Sequence, residues 1–239
     1  MAIHIMELNG MINNVVFYRR NGKNFARKKP RKYKRTRAMK ARSRNFGIAQ
    51  STAATLRRML DKLIPFPADK AMQSTFSGGL AKWIGGREIK DILPEINIAY
   101  LGDFQFNEKC KMRNRWKTQL SVLNPSNGLL QLHLPAFTPV EAIIAPENTV
   151  SVTLQVCVAA AELESSGTGA YYATSIETSY DDVETGPYII DLPIEMKRGT
   201  LIITTCALQY NVRRQGIVNT IIYNKPDHMP AAVVEARYC

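Results

Sequence analysis

Ser151 to Ala159 reads SVTLQVCVA, with Val152, Leu154, Val156 and Val158 on every second position. Side chains of an extended chain alternate between the two faces of a sheet, so this spacing predicts a strand with an apolar face turned to a core. The runs on either side read the same way. Trp116 to Leu123, Leu129 to Leu134, Val150 to Ala160, Tyr171 to Ser175, Tyr188 to Leu192, Thr200 to Tyr210 and Ile217 to Tyr223 are short β-like runs. Turn formers separate them: Asn124-Pro125, Asn127-Gly128, Pro146, Gly167 to Gly169, Gly186-Pro187, Gly199 and Gln215-Gly216. About seven or eight strands at this spacing predict an antiparallel β-sandwich of jelly-roll or immunoglobulin-like type over 104–239.

Upstream the period changes. Thr36 is a suitable N-cap, and no proline follows until Pro65. Phe46, Ala49, Ala53, Leu56, Leu60 and Leu63 step by alternating threes and fours, which predicts one long helix from Arg37 to Ile64 with an apolar seam. Pro65-Phe66-Pro67 makes a corner, and Met72, Phe76, Leu80 and Trp83 predict a second amphipathic helix that ends at Gly85-Gly86. Gly78-Gly79 weakens that helix by roughly 1 kcal/mol per glycine. Before both helices, Met11 to Tyr18 leads into Asn21-Gly22, which predicts a type I′ hairpin returning through Lys23 to Lys28. The fold class is therefore α+β, with a hairpin and two helices in 1–103 and a sandwich in 104–239.

Charge is concentrated in one place. Arg19 to Arg44 holds fourteen Lys and Arg and no Asp or Glu, while the whole chain of 239 residues has a formal charge of +12. Everything outside that stretch is close to neutral. Like charges at this density repel, and the compact state gains nothing from them unless a polyanion lies alongside. The candidate nucleic-acid-binding residues are Arg19, Arg20, Lys23, Arg27, Lys28, Lys29, Arg31, Lys32, Lys34, Arg35, Arg37, Lys40, Arg42 and Arg44. Arginine outnumbers lysine among them, which suits bidentate phosphate contact, and Phe25 and Tyr33 are interleaved as stacking residues. No RNP-like aromatic pattern and no zinc-finger spacing is present, so base-specific readout is not expected.

Other chemistry finds little support. His4, His133 and His228 are isolated, with no H-E-x-x-H, no G-x-S-x-G and no glycine-rich phosphate loop. His133 sits within alternating leucines and reads as a strand residue. Asp181, Asp182 and Glu184 lack the spacing of a calcium loop and read as a solvated acidic turn. Cys110, Cys157, Cys206 and Cys239 are widely spaced, with no C-x-x-C, so Cys157 and Cys206 read as buried reduced thiols. No catalytic residue, metal or cofactor is expected. No run is long enough to span a bilayer, and the N-terminus lacks the pattern of a Sec signal peptide. These points place the chain in the cytoplasm or within a virion-like or ribonucleoprotein assembly.

The opening GMINNVVFYRRNGKNFARKKP, continued by TRAMKARSRNFGIAQ, resembles the start of uncharacterised protein families from Bacteroidota. Those open with a GxxGNVVxYxxxGKxxxR hairpin and continue in a helix with a TxxQxxxRxxF pattern. Gly10, Asn14, Val15, Val16, Tyr18, Gly22, Lys23 and Arg27 match the first motif, and Thr36 and Phe46 the second. Asn13 replaces a glycine, Met39 a glutamine and Ser43 an arginine. The likeness covers about 60 residues and implies a hairpin followed by a helix, with no assigned activity. In layout, a basic arm ahead of a β-sandwich is similar to small viral coat proteins.

Together these readings predict a non-enzymatic structural or assembly protein. Its basic stretch would bind RNA or DNA without sequence preference, and its sandwich and helix seam would meet protein partners or further copies of itself. The alternative is an interaction or scaffold module whose basic region grips an acidic protein or an anionic envelope surface.

Overall fold

A computed structural model describes residues 10–31, 34–61, 70–124, 129–164, 169–213, 221–223 and 225–239. The chain divides into two units, Met1–Lys40 and Ala41–Cys239.

In the first unit, β1 (Gly10–Ile12), β2 (Val15–Arg20) and β3 (Lys23–Lys28) form an antiparallel meander. Asn21 and Gly22 take φ of 51° and 75°, the left-handed pair a type I′ turn requires. The predicted hairpin is present, and a second turn adds a strand to it. Asn13, with φ of 52°, reverses the chain so that Ile12 pairs with Val15. Asparagine is among the few side chains that enter the left-handed region readily.

The helix α1 (Arg37–Leu60) starts where Thr36 predicts. Thr36 Oγ1 accepts from the Met39 amide at 3.2 Å, and the Thr36 carbonyl accepts from Lys40 at 3.0 Å. Ala49, Ala53, Leu56 and Leu60 are buried as the seam requires. Phe46 is a correction, being 55% exposed, while its neighbour Asn45 turns inward. The Asn45 side-chain amide donates to the carbonyls of Gly85 (3.0 Å) and Arg87 (2.8 Å), just past the end of α2 (Lys70–Ile84). A helix C-terminus needs donors, and an amide supplies two where a phenyl ring supplies none. Leu63, Ile64 and the Pro65 corner lie outside the described residues.

In α2, Met72, Phe76, Leu80 and Trp83 are all buried, as their spacing predicts. Gly79 has a packing reason to sit mid-helix, because a Cβ there would lie 2.8 Å from the Tyr100 carbonyl oxygen. Gly85, with φ of 60°, ends the helix and donates to Ala81.

The remaining elements are β4 (Glu95–Ile96), β5 (Ser121–Leu123), β6 (Leu130–Leu134), α3 (Pro139–Ala142), β7 (Thr149–Glu162), β8 (Gly169–Ser179), β9 (Tyr188–Leu192), β10 (Thr200–Val212), β11 (Ile221–Ile222) and β12 (Ala231–Tyr238). One sheet runs β4-β12-β10-β7-β8 with β11 added beside β10, and a smaller one runs β5-β6-β9. Every pairing is antiparallel. The predicted run Trp116 to Leu123 forms a strand only over β5. From Ile217 to Tyr223, only β11 falls among the described strands.

The large sheet is covered on both faces, giving three layers. Val152, Leu154, Val156 and Val158 of β7 share a cluster with Leu130, Leu132, Leu134 and Leu192 of the small sheet. Cys157, Ala159 and Ala161, on the other parity, share a cluster with Leu56, Leu60, Phe76 and Leu80 of the helices. The structure is thus α+β with a sandwich-like strand-rich part. The boundary drawn between 103 and 104 does not coincide with the division after Lys40, since residues on both sides of it fill one apolar cluster. The side chains of Cys157 and Cys206 are buried, one on each face.

The reading of the sequence did not include β12, which lies inside the large sheet between β10 and β4. Its AAVVEARY is rich in alanine and carries two charges, both buried. The Arg237 guanidinium reaches Glu235 Oε1 through Nε and Nη2, each at 2.7 Å. A fork of donors on one carboxylate oxygen is what lets two opposite charges leave water together.

Candidate nucleic-acid interface

Leu8 to Leu60 contains no acidic residue, so no carboxylate within the stretch can neutralise its cations. Lys32 and Tyr33 lie outside the described residues. The other thirteen candidate cations are all exposed.

Five of them are placed by the ribbon. The Asn21-Gly22 turn pairs Arg20 with Lys23, Tyr18 with Phe25 and Val16 with Arg27. Opposite residues share a face, so Arg20, Lys23, Arg27, Tyr18 and Phe25 project on one side. Tyr18 and Phe25 stack with ring centroids 5.6 Å apart and planes 19° apart, and the Arg27 guanidinium lies 5.6 Å from the centre of the Tyr18 ring. Arg19 and Lys28 belong to the opposite face. Phe25 is 42% exposed and Tyr18 37%. Two stacked rings open to solvent and bracketed by cations suit an unpaired base and its phosphates.

Tyr18 was not among the stacking residues read from the sequence. The signal was present: once Asn21 and Gly22 are the two turn residues, residues 18 and 25 must face each other.

Lys29, Arg31, Lys34 and Arg35 follow β3 and are exposed. Arg37, Lys40, Arg42 and Arg44 occupy the exposed first two turns of α1, whose first turn holds no acidic residue. A helix N-terminus presents unpaired amides and a partial positive charge, so four more cations there make an end that an anion would stabilise. Arg37, Lys40 and Arg44 share a stripe, spaced three and four residues apart.

The second unit contains features of other kinds. A cleft of about 450 Å³ is lined by Gln105, Met112, Trp116, Leu120, Val122 and Cys206. Burial pushes the Cys206 thiol up to about 12, so it stays protonated at neutral pH and is a poor nucleophile. His133 lies on β6 between the buried Leu132 and Leu134, opposite Ser121 and Ile189. Burial, with Arg115 and Lys225 nearby, lowers the pKa of His228. Asp181 Oδ1 accepts from the Val183 amide at 3.1 Å within the acidic turn. Among the described residues no three His, Cys, Asp or Glu side chains are grouped to hold a metal. No helix among them is long and apolar enough to cross a membrane.

No protein family, no curated protein and no solved structure matches the chain.

Proposed function

We propose that this is a non-enzymatic structural or assembly protein that binds RNA or DNA without sequence preference, using the ribbon and the first turns of α1. The supporting observation is the ribbon face. It joins an exposed stacked aromatic pair to Arg20, Lys23 and Arg27 within a stretch that has no carboxylate of its own. Phosphate contact supplies affinity and the rings accept any base, so neither element reads sequence.

The test is the salt dependence of binding, measured by fluorescence anisotropy with a labelled oligonucleotide. If about seven cations meet phosphates, log K falls against log[salt] with a slope of about −6 on duplex and −5 on single strands. Scrambling the oligonucleotide leaves affinity nearly unchanged. Replacing Lys28, Lys29, Arg31, Lys32, Lys34 and Arg35 by Gln flattens the slope by about 3 and leaves the melting temperature in place, since solvated charges give the fold little. A slope near zero, or one the Gln variant leaves unaltered, refutes the proposal and favours an acidic protein partner.

A further inference from the structure

Independently of the basic stretch, we infer that the free edge of β8 pairs antiparallel with β8 of a second copy of this chain. The six-stranded sheets of the two copies then form one continuous sheet across a two-fold axis.

The ladder itself shows which backbone groups are free. Tyr180 donates to the Val150 carbonyl at 2.8 Å, in register with the pair Ser151 and Ser179. In an antiparallel ladder, hydrogen-bonded pairs alternate with non-bonded ones, so the even-numbered residues of β8 spend their amides and carbonyls on β7. The other side of β7 agrees. Leu163 donates to the Gly199 carbonyl at 3.2 Å, in register with the β10 pairing, so odd-numbered residues of β7 bond β10 and its even-numbered ones bond β8. The amides and carbonyls of Ala173, Ser175 and Glu177 therefore point out of the sheet, and β8 pairs with β7 alone among the described strands.

This edge differs from the others of the two sheets of the second unit. Among the described strands, β4 has two residues, β5 three and β9 five, whereas β8 has eleven. Natural sheets protect long edges with proline, lysine, bulges or a covering element. From Gly169 to Ser179, GAYYATSIETS has no proline and no basic residue, and its pairing with β7 has no register shift. An edge of this length, straight and almost uncharged, is a template for a strand.

The sequence of β8 also specifies the occupant. With the two-fold axis beside Ser175, Ser175 meets its own copy and Ala173 meets Glu177 of the other chain. Every residue whose backbone groups point out of the sheet then faces another such residue. The single carboxylate of the strand lies opposite a methyl group and away from its counterpart. The side chains of Ala173, Ser175 and Glu177 are exposed. A strand from a cationic partner would gain little from so neutral an edge.

The full chain, cleared of nucleic acid by nuclease and held in about 1 M salt to screen the basic stretch, is compared with Ser175→Pro and Ser175→Lys by sedimentation velocity. Proline removes an outward amide and no bond to β7, the one arrangement in which an edge strand tolerates it. Lysine leaves the backbone intact and sets two like charges side by side at the axis. Wild type is expected to be a dimer at about 50 µM, with both variants weakening the dimer at least tenfold at unchanged melting temperature. Should the proline variant melt early, the lysine variant alone decides. A wild-type monomer at that concentration, dimers that the lysine variant leaves intact, or open-ended oligomers in place of a closed dimer would overturn the inference.

Discussion

The ribbon and the large sheet are both antiparallel β-structure, yet they use their side chains in opposite ways. All six residues of β3 are exposed, whereas eleven of the thirteen in β10 are buried. The ribbon is defined by two asparagine turns and one stacked aromatic pair, and it carries cations on both faces. The sheet is defined by two apolar layers and buries its single arginine–glutamate pair on β12. Two or three strands without a covered face are marginally stable in water. A region that owes so little to its own packing and carries so much self-repulsion is the one on which the proposed binding to a polyanion rests.

The largest effect expected from this contrast concerns where the chain can be cut. A fragment beginning at Phe104 loses α1 and α2, uncovering Ala159, Leu201, Ile203 and Val233. It should aggregate or unfold without cooperativity. A fragment beginning at Thr36 keeps the helix cap and both helices, and should melt within a few degrees of the whole chain. Circular dichroism melts of the two fragments decide the matter. A cooperative, soluble 104–239 fragment would mean that the helices merely decorate the sheet.

Next in size is a pair of substitutions on one helix. Leu56 is fully buried in the layer beneath the large sheet, so Leu56→Asp should destabilise by about 3 to 5 kcal/mol, lowering the melting temperature by about 10 °C. Phe46→Asp, ten residues earlier on the same helix, should change stability by no more than about 0.5 kcal/mol. Equal melts for the two variants would refute the inward placement of Leu56.

A smaller effect is expected from alkali. The thiol of Cys206 is raised by burial from an ordinary 9.0 to about 12, and burial raises the Tyr210 hydroxyl as well. Both groups hold their protons more tightly folded than unfolded. Their contribution is complete below the unfolded values and is lost as pH climbs from about 9 towards 12. The melting temperature should therefore fall steadily from about pH 9 to pH 11. The native thiol should react with iodoacetamide at pH 9 about five-hundredfold more slowly than the unfolded one. A flat pH profile together with rapid labelling would place Cys206 outside the core.

The parts of the fold that could be read in advance are those with a short period or an obligatory turn. SVTLQVCVA gave its strand and its core face through simple alternation, and Asn21-Gly22 gave its hairpin because few other dipeptides accept that backbone. Thr36 marked its helix start through the hydrogen bond its side chain makes. What escaped depended on distant partners. Phe46 fits the seam by spacing, but at its level the helix meets carbonyls near Gly85, and Asn45 takes the inward place. The strand β12 shows no alternation, because alanine packs on either face and its two charges satisfy each other. Of the candidate site, the cations and Phe25 were legible from composition. Tyr18 required carrying the turn register three residues back.

The smallest expected effect tests the ribbon face alone. Phe25→Leu keeps a β-compatible apolar side chain and all fourteen cations, so the melting temperature and the slope of log K against log[salt] should match wild type. The ring is lost, and with it a stacking surface for an unpaired base. Affinity for single strands should fall about tenfold, within the roughly 1 to 3 kcal/mol attributed to one stacked base. Duplex, whose bases are already stacked, should bind as before. Anisotropy titrations of both forms at one salt concentration separate the outcomes. Equal losses on the two forms would mean that Phe25 shapes the ribbon without touching bases. No loss on either would leave phosphate contact by the cations as the whole of the interaction.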